Sequence, residues 1–291
     1  MSVRQRALAS RAAKSAALHG MQLALRENLH RLLVRLARAH LVDTQRLFYE
    51  TNGILQYQNP IVSGERYVIQ NVLSKYSCNK SLRIIDVGAN IGDYTQELLN
   101  YYPNADIIAF EPHPIAFLKI AERFAKKCDR VSTYNLALGS KNGEFTLYDY
   151  EANSDNSHSS FYPEVIEEIH RGKLTKNTVQ VVALDDFCQQ HAIERIDLLK
   201  IDTEGHELEV LRGARDLLTK GCIKLIQFEF NEMNVYSRAF LRDFYEMLNG
   251  YRLFRLAEDR LLSLGDYDTR YEIFKFQNIL AVGAKDGERG G

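Results

Sequence analysis

Residues 82–99 read LRIIDVGANIGDYTQELL, and the fold class turns on how this stretch divides. The apolar run LRIIDVG is a strand, and GDYTQELLNYY carries the spacing of a helix. Working outward, the same alternation recurs. ADIIAFEP (105–112) is a second strand, followed by the helix PIAFLKIAERFAKK (114–127), and VSTYNLAL (131–138) is a third strand. A hairpin is expected at Glu144–Tyr150, then the polar loop EANSDNSHSS (151–160) and a strand at Val179–Leu184. IDLLKID (196–202) is followed by a helix near Glu207–Thr219, the strand IKLIQFEF (223–230) and a helix at Ser237–Leu248. Two strand-like runs, Tyr251–Leu256 and Phe274–Val282, complete the pattern. Alternating strands and helices predict a doubly wound α/β domain with a mostly parallel sheet covered on both faces.

Composition bounds the function. The 291 residues are 45% hydrophobic and 26% charged, with a formal net charge of −1; no global basic field points to nucleic acid. Cys78, Cys128, Cys188 and Cys222 form no CxxC pair and read as reduced thiols rather than a zinc site. No apolar run is long enough to span a bilayer, and the start lacks the apolar core of a secretory signal, so a cytoplasmic location is expected.

Residues 1–50 are of another character. Between Met1 and Arg46, the basic residues Arg4, Arg6, Arg11, Lys14, Arg26, Arg31, Arg35, Arg38 and Arg46 are opposed only by Glu27 and Asp43, while Leu25, Leu29, Leu32, Leu33 and Leu36 recur at helical spacing. This basic amphipathic extension is a solvated helix or a weak contact for a membrane surface or protein. Residues 51–80 read as a linker with a short helix at Glu65–Tyr76, 81–284 as the main domain and 285–291 as a disordered tail.

Ligands of such folds sit at the carboxyl ends of the strands. The first strand ends in DVGANIGDY, where Gly88 and Gly92 permit tight turns and close approach. The pattern is not GxGxxG, and Asp86 precedes the first glycine, where it would repel a phosphate and favour a cation. The second strand ends at Glu111, 19 residues after Gly92, placed to accept from both hydroxyls of a ribose. A nucleoside with a cationic tail and no diphosphate describes S-adenosylmethionine.

KIDTEGHE (200–207) closes the IDLLKID strand. Side chains alternate, so Lys200 and Asp202 share one face with Leu198. A lysine in an apolar strand needs a charge partner, and Glu229, at the end of the next strand on one face with Gln227 and Asn231, is the expected one. The plain structural expectation is a buried Lys200–Glu229 pair, with Asp202 or Thr203 capping the next helix. The chemical expectation is that Lys200, Asp202 and Glu229 converge at the mouth of the sheet. Transfer of a methyl group to a hydroxyl calls for a nearby base; Asp202 is the first candidate and His206 the second. A divalent cation on Asp202, Glu204 and Glu229 is an alternative, with metal-free chemistry preferred.

IIDVGANIGDYT, FEPHP, NLALGS, VVALDDF and LLKIDTEGHELEVLRGA together resemble the FkbM-type S-adenosylmethionine-dependent methyltransferases from about Leu82 to Ala284. The resemblance implies a seven-stranded Rossmann-like methyltransferase sheet and O-methylation of a small sugar-like or natural-product acceptor. It implies that Asp86, Gly88, Asn90 and Gly92 hold the methionine end and Glu111 the ribose, and that Ala137 and Leu138 border the adenine. Ser159 and Ser160 match a serine-bearing segment of the family loosely. The rival readings are a nicotinamide-dependent oxidoreductase and a non-catalytic protein acting through its basic helix.

Overall fold

The computed structural model describes residues 24–39, 43–76, 81–127, 129–150 and 158–283. Cys78, Cys128, most of the polar loop and the tail from 284 onward lie outside them, as do residues 1–23. Two compact units are present, Met1–Thr51 and Asn52–Gly291. The described part of the first unit holds helices α1 (residues 24–38) and α2 (Thr44–Thr51). Leu25, Leu29 and Leu32 are exposed on α1, and no described helix is long and apolar enough to cross a membrane.

The second unit opens with α3 (Glu65–Tyr67), whose winding continues as a π turn at Val68–Val72 and a 3-10 turn at Leu73–Tyr76. Strand β1 (Arg83–Val87), helix α4 (Asp93–Tyr101), strand β2 (Asp106–Phe110) and helix α5 (Pro114–Phe124) follow as the sequence pattern predicts. The expected third strand is two. β3 (Val131–Tyr134) pairs with β2, whereas β4 (Ala137–Leu138) joins a different sheet. Between them the Asn135 amide donates to the carbonyls of Glu111 and Pro112, which ends the first pairing.

The second sheet has the order β4-β6-β5, with β5 (Gly143–Tyr150) antiparallel to β6 (Leu174–Val182). The partner of the expected hairpin strand is therefore the strand expected at Val179–Leu184, which begins earlier, at Leu174, and stops where α6 (Leu184–Gln190) starts. Strand β7 (Ile196–Ile201) leads to α7 (Glu207–Arg212) and α8 (Arg215–Thr219). These were expected as one helix; α8 starts afresh because the Asp185 carboxylate accepts from the backbone N–H groups of Asp216 and Leu217. Strand β8 (Ile223–Phe230), helices α9 (Met233–Ser237) and α10 (Leu241–Met247), and strands β9 (Tyr251–Ala257), β10 (Arg260–Ser263) and β11 (Gln277–Gly283) complete the unit.

The main sheet has eight strands in the order β10-β9-β11-β8-β7-β1-β2-β3, not seven. The addition is β10, a short edge strand in a hairpin with β9 that carries too few apolar residues to declare itself. The five strands from β8 to β3 are parallel, and β11 runs antiparallel between β8 and β9. One face of the sheet (Ile84, Ile107, Leu198, Leu225) packs on the winding through Leu73 and on α4 and α5. The other (Ile85, Leu199, Ile226, Phe228) packs on α6, α7, α8 and α10. Each fully buried side chain of this size contributes about 1.5–3 kcal/mol, so Lys200, which lies in the first row, displaces a favourable term and needs compensation.

Candidate active site

The carboxyl ends of β1, β2, β7 and β8 open into a cavity of about 680 Å³. Its first wall is backbone. Gly88 has φ +76°, and a Cβ there would stand 1.8 Å from the Asp202 carbonyl oxygen, so the β1 and β7 loops meet more closely than any side chain allows. The N–H groups of Gly88 and Ala89 both donate to the Phe110 carbonyl, tying the loop to β2. Glu111 then accepts from the Asn90 N–H at 2.8 Å through one carboxylate oxygen and from the His113 N–H at 2.8 Å through the other. Burial pushes its carboxyl up to about 7 against the pull of those two donors. Pro112, Leu136, Ala137 and Leu138 continue this wall as an apolar slot.

A smaller recess of about 230 Å³ shares Gly88, Asn90, Glu65 and Asp202 with the cavity and adds Asp86, Tyr94 and Lys200. Asp86 is buried, accepts from the Thr95 hydroxyl at 2.6 Å and is raised to about 6 by that burial. Gly92 has another place. It lines neither space, and a Cβ on it would stand 2.5 Å from the Phe124 ring and 2.9 Å from Ile120. Its absent side chain admits α5 against the N-terminus of α4.

Lys200 is 2% exposed and sits in register with Asp86 on β1 and Gln227 on β8. Its ammonium lies 3.0 Å from Asp202 and 3.7 Å from Glu65, over the Tyr94 ring. Burial alone would depress its pKa, but Asp202, Glu65 and Glu229 together drive it well above the ordinary value. Gln227 ties the cluster together, donating to Glu65 and accepting from the Tyr94 hydroxyl. The expected direct Lys200–Glu229 pair is replaced by Lys200–Asp202 and Lys200–Glu65. Glu229 instead lines the cavity and accepts from the Asn231 amide at 3.2 Å, and burial, reinforced by Asp202, holds its carboxyl well above the usual range.

Neither Asp202 nor Thr203 caps α7. The capping runs the other way: the Glu207 carboxylate accepts from the Thr203 and Gly205 N–H groups and the Thr203 hydroxyl. Asp202 is thereby left at the cavity wall with Lys200 as its bonded partner. His206 is elsewhere. Its ring packs against Phe161 and beside Gly139, Nδ1 lies 3.3 Å from the Tyr162 hydroxyl, and burial lowers its pKa to about 4. It does not line the cavity. Ser159 does line it, whereas Ser160 is fully buried, bridges to Tyr148 through its backbone and donates its hydroxyl to the Glu204 carbonyl.

Sequence reasoning missed Glu65 and Tyr94 around Lys200, and it missed His158, whose Nδ1 lies 2.9 Å from the Glu204 carboxylate. The one signal for the first set was the lysine itself, which demands acids from outside its own strand. Among the described residues, six carboxylates line the cavity, those of Glu65, Glu111, Asp202, Glu204, Glu229 and Glu232, with no lysine or arginine. Four buried polar atoms without hydrogen-bond partners belong to residues of this wall: Asn90 Oδ1, Ser159 Oγ, His170 Nε2 and Glu232 Oε2. Buried polar groups are ordinarily bonded, so this concentration marks a place for a polar ligand. Among the described residues, no group of three or more His, Cys, Asp or Glu is arranged to hold a metal ion.

Residues 86–255, more than half of the chain, match the family model described as the methyltransferase FkbM domain. The chain belongs to this family. A curated relative, the 2-O-methyltransferase NoeI of Sinorhizobium fredii, is 27% identical over 184 residues, covering 58% of this chain and 72% of NoeI. The hexuronic acid methyltransferase AglP of Haloferax volcanii is 27% identical over 158 residues, covering 53% of this chain and 58% of AglP. Among solved structures, the methyltransferase FkbM from Methylobacillus flagellatus aligns at 14% identity with a TM-score of 0.42, covering 69% of this chain and 43% of that one. The matched residues begin at Asp86, near the end of β1, and include the carboxyl ends of β1, β2, β7 and β8 that open into the cavity.

Proposed function

We propose that this FkbM-family protein is an S-adenosylmethionine-dependent O-methyltransferase that modifies a hydroxyl of a small sugar-like or natural-product acceptor. The observation that carries the reading is the meeting of Glu111 and Asp202 in one cavity across the Gly88–Asn90 turn. The residues suit the donor. Glu111 has lone pairs to spare for two ribose hydroxyls after its two backbone bonds. Asn90 holds an unpartnered buried acceptor, the slot from Pro112 to Leu138 is apolar enough for a purine, and the acid-rich recess favours a cation.

When bound, the donor supplies an electrophilic methyl group on a positively charged sulfur. The protein's part is to bind, orient and exclude water. Glu111 and Asn90 fix the nucleoside, and Asp86 and its neighbours favour the charged end. Asp202 holds the acceptor hydroxyl in line, and orientation of this kind accounts for most of the acceleration in such displacements. Leu147, Phe161, Met233 and Phe276 give the remaining wall its apolar character. NoeI, a 2-O-methyltransferase, supports oxygen as the target, and AglP, a hexuronic acid methyltransferase, supports a sugar acid as one kind of acceptor in relatives. The test is incubation with isotopically labelled methyl donor and pooled monosaccharides and hydroxylated small metabolites, read by mass spectrometry. Label on an oxygen of one acceptor supports the reading; label on nitrogen alone, or NAD bound in preference to S-adenosylhomocysteine, overturns it.

A further inference from the structure

We propose that His158, oriented by Glu204, takes the proton from the acceptor hydroxyl. The inference rests on the methyltransferase reading above and assigns the base of that reaction. His158 lines the cavity, and its Nδ1 is committed to the Glu204 carboxylate at 2.9 Å. A ring nitrogen bound to a carboxylate is the N–H of the neutral tautomer, which leaves Nε2 as the lone pair offered to the cavity. The ring plane is fixed as well, since His158 stacks on His170 at 4.8 Å between centroids, and His170 stacks on Tyr150. Glu204 is held in turn: its backbone, at φ +52°, accepts at its carbonyl from the Ser160 hydroxyl. Base, orienting carboxylate and a fixed plane are the elements of a proton-accepting pair.

The two candidates read from the sequence serve less well. His206 lies outside the cavity, and Asp202 already shares an oxygen with the Lys200 ammonium. In the balanced step the acceptor oxygen forms the new O–CH3 bond, and the pair of the broken S–CH3 bond stays on sulfur. The O–H bond breaks, and its proton goes to His158 Nε2 and then to solvent. The charged groups around the ring are known. The Glu204 hydrogen bond and, at longer range, Asp202 and Asp149 raise its pKa against the opposing effect of burial, and the stacked His170 is itself lowered by burial and by His158. Glu232 acts on His170, raising its pKa.

The experiment is a nitrogen-15 titration of the histidine side chains in the full chain, with His158→Gln for assignment and Glu204→Gln as the perturbation. The expected result is an Nδ1–H tautomer for His158 and a pKa above the ordinary value, lowered in Glu204→Gln. A predominant Nε2–H tautomer, or a pKa that Glu204→Gln leaves unmoved, overturns the pairing. Calorimetry with S-adenosylhomocysteine separates this from the parent reading: affinity should stay within about twofold in both variants, and absence of binding in the unaltered protein would instead sink the methyltransferase reading. On a monosaccharide methylated in the pooled screen, His158→Gln should lose at least about 10²-fold in turnover and with it the rise of rate as pH passes the His158 pKa. Turnover near normal with that rise intact also overturns the proposal.

Discussion

The two ends of the cavity are built in different ways. The end at β1 and β2 is made from consecutive strands, and its contacts are backbone: the Gly88–Asn90 turn, two N–H groups on Phe110, two on Glu111. The end at β7 and β8 is made from side chains that come from distant segments. Glu65 reaches it from α3, His158 and Ser159 from the link between β5 and β6, and Glu232 from the start of α9. A wall of backbone within one β–α–β stretch holds a constant ligand in a constant way. A wall of side chains from separate loops can change its acceptor without disturbing the sheet.

The contrast breaks most sharply at Lys200. Lys200→Met would leave Asp202, Glu65 and Asp86 facing one another without their cation, so stability should fall by about 3–5 kcal/mol, measured by urea unfolding. A loss below about 1 kcal/mol would mean that the acids relax into solvent and that the lysine is not the keystone of the second end.

Asp202→Asn keeps the size of the side chain and removes its charge. Turnover on an identified acceptor should fall by about 10²-fold through misplacement of the acceptor hydroxyl, with affinity for S-adenosylhomocysteine almost unchanged. An equal loss in both would put Asp202 on the donor side and blur the division between the two ends.

Glu111 makes the first end sensitive to pH. Burial pushes its carboxyl up to about 7 in the folded protein, and in the proposed reading the ionised form is the one that accepts from ribose. Affinity for S-adenosylhomocysteine should therefore fall about tenfold from pH 8 to pH 6, and Glu111→Gln should abolish that dependence. The sign for stability is opposite. A carboxyl raised above its unfolded value contributes stability that is complete below about pH 4.5 and lost as pH rises through about 7. Without ligand, the melting temperature of Glu111→Gln should accordingly decline less between pH 5 and pH 8 than that of the unaltered protein.

The smallest effect belongs to His206. Packed against Phe161 and beside Gly139, it should tolerate His206→Asn with turnover within about threefold of normal, the cost appearing as a lower melting temperature. A loss of 10²-fold would return it to the site.

Legibility in the sequence follows the same division. The β1–Gly88–α4 unit and Glu111 were readable because strand, turn and acid lie within one short stretch, where hydrophobic period and glycine spacing suffice. Lys200 was readable as a residue in need of partners, but the partner chosen was Glu229. Strand alternation ranks residues on neighbouring strands and says nothing of Glu65, which arrives from a helix 135 positions earlier in the chain. The capping expectation at Asp202 failed for a related reason. An acid five residues on, Glu207, outcompeted it for the loop N–H groups, and propensity at a single position cannot foresee that. His206 and His158 were indistinguishable by type; only the fold turns one toward the cavity and the other away. Strand β10 was missed because four residues at a sheet edge carry almost no periodic signal.

The central claim, that the backbone-built end of the cavity binds the nucleoside of a methyl donor, is tested most directly by calorimetric titration of S-adenosylhomocysteine into the unaltered protein and into Glu111→Ala. The account predicts one site per chain, weakened in the folded variant by about 1–3 kcal/mol, the scale for loss of a charged hydrogen-bond acceptor. Equal affinity in the two proteins, or no binding to the folded unaltered protein, would contradict it.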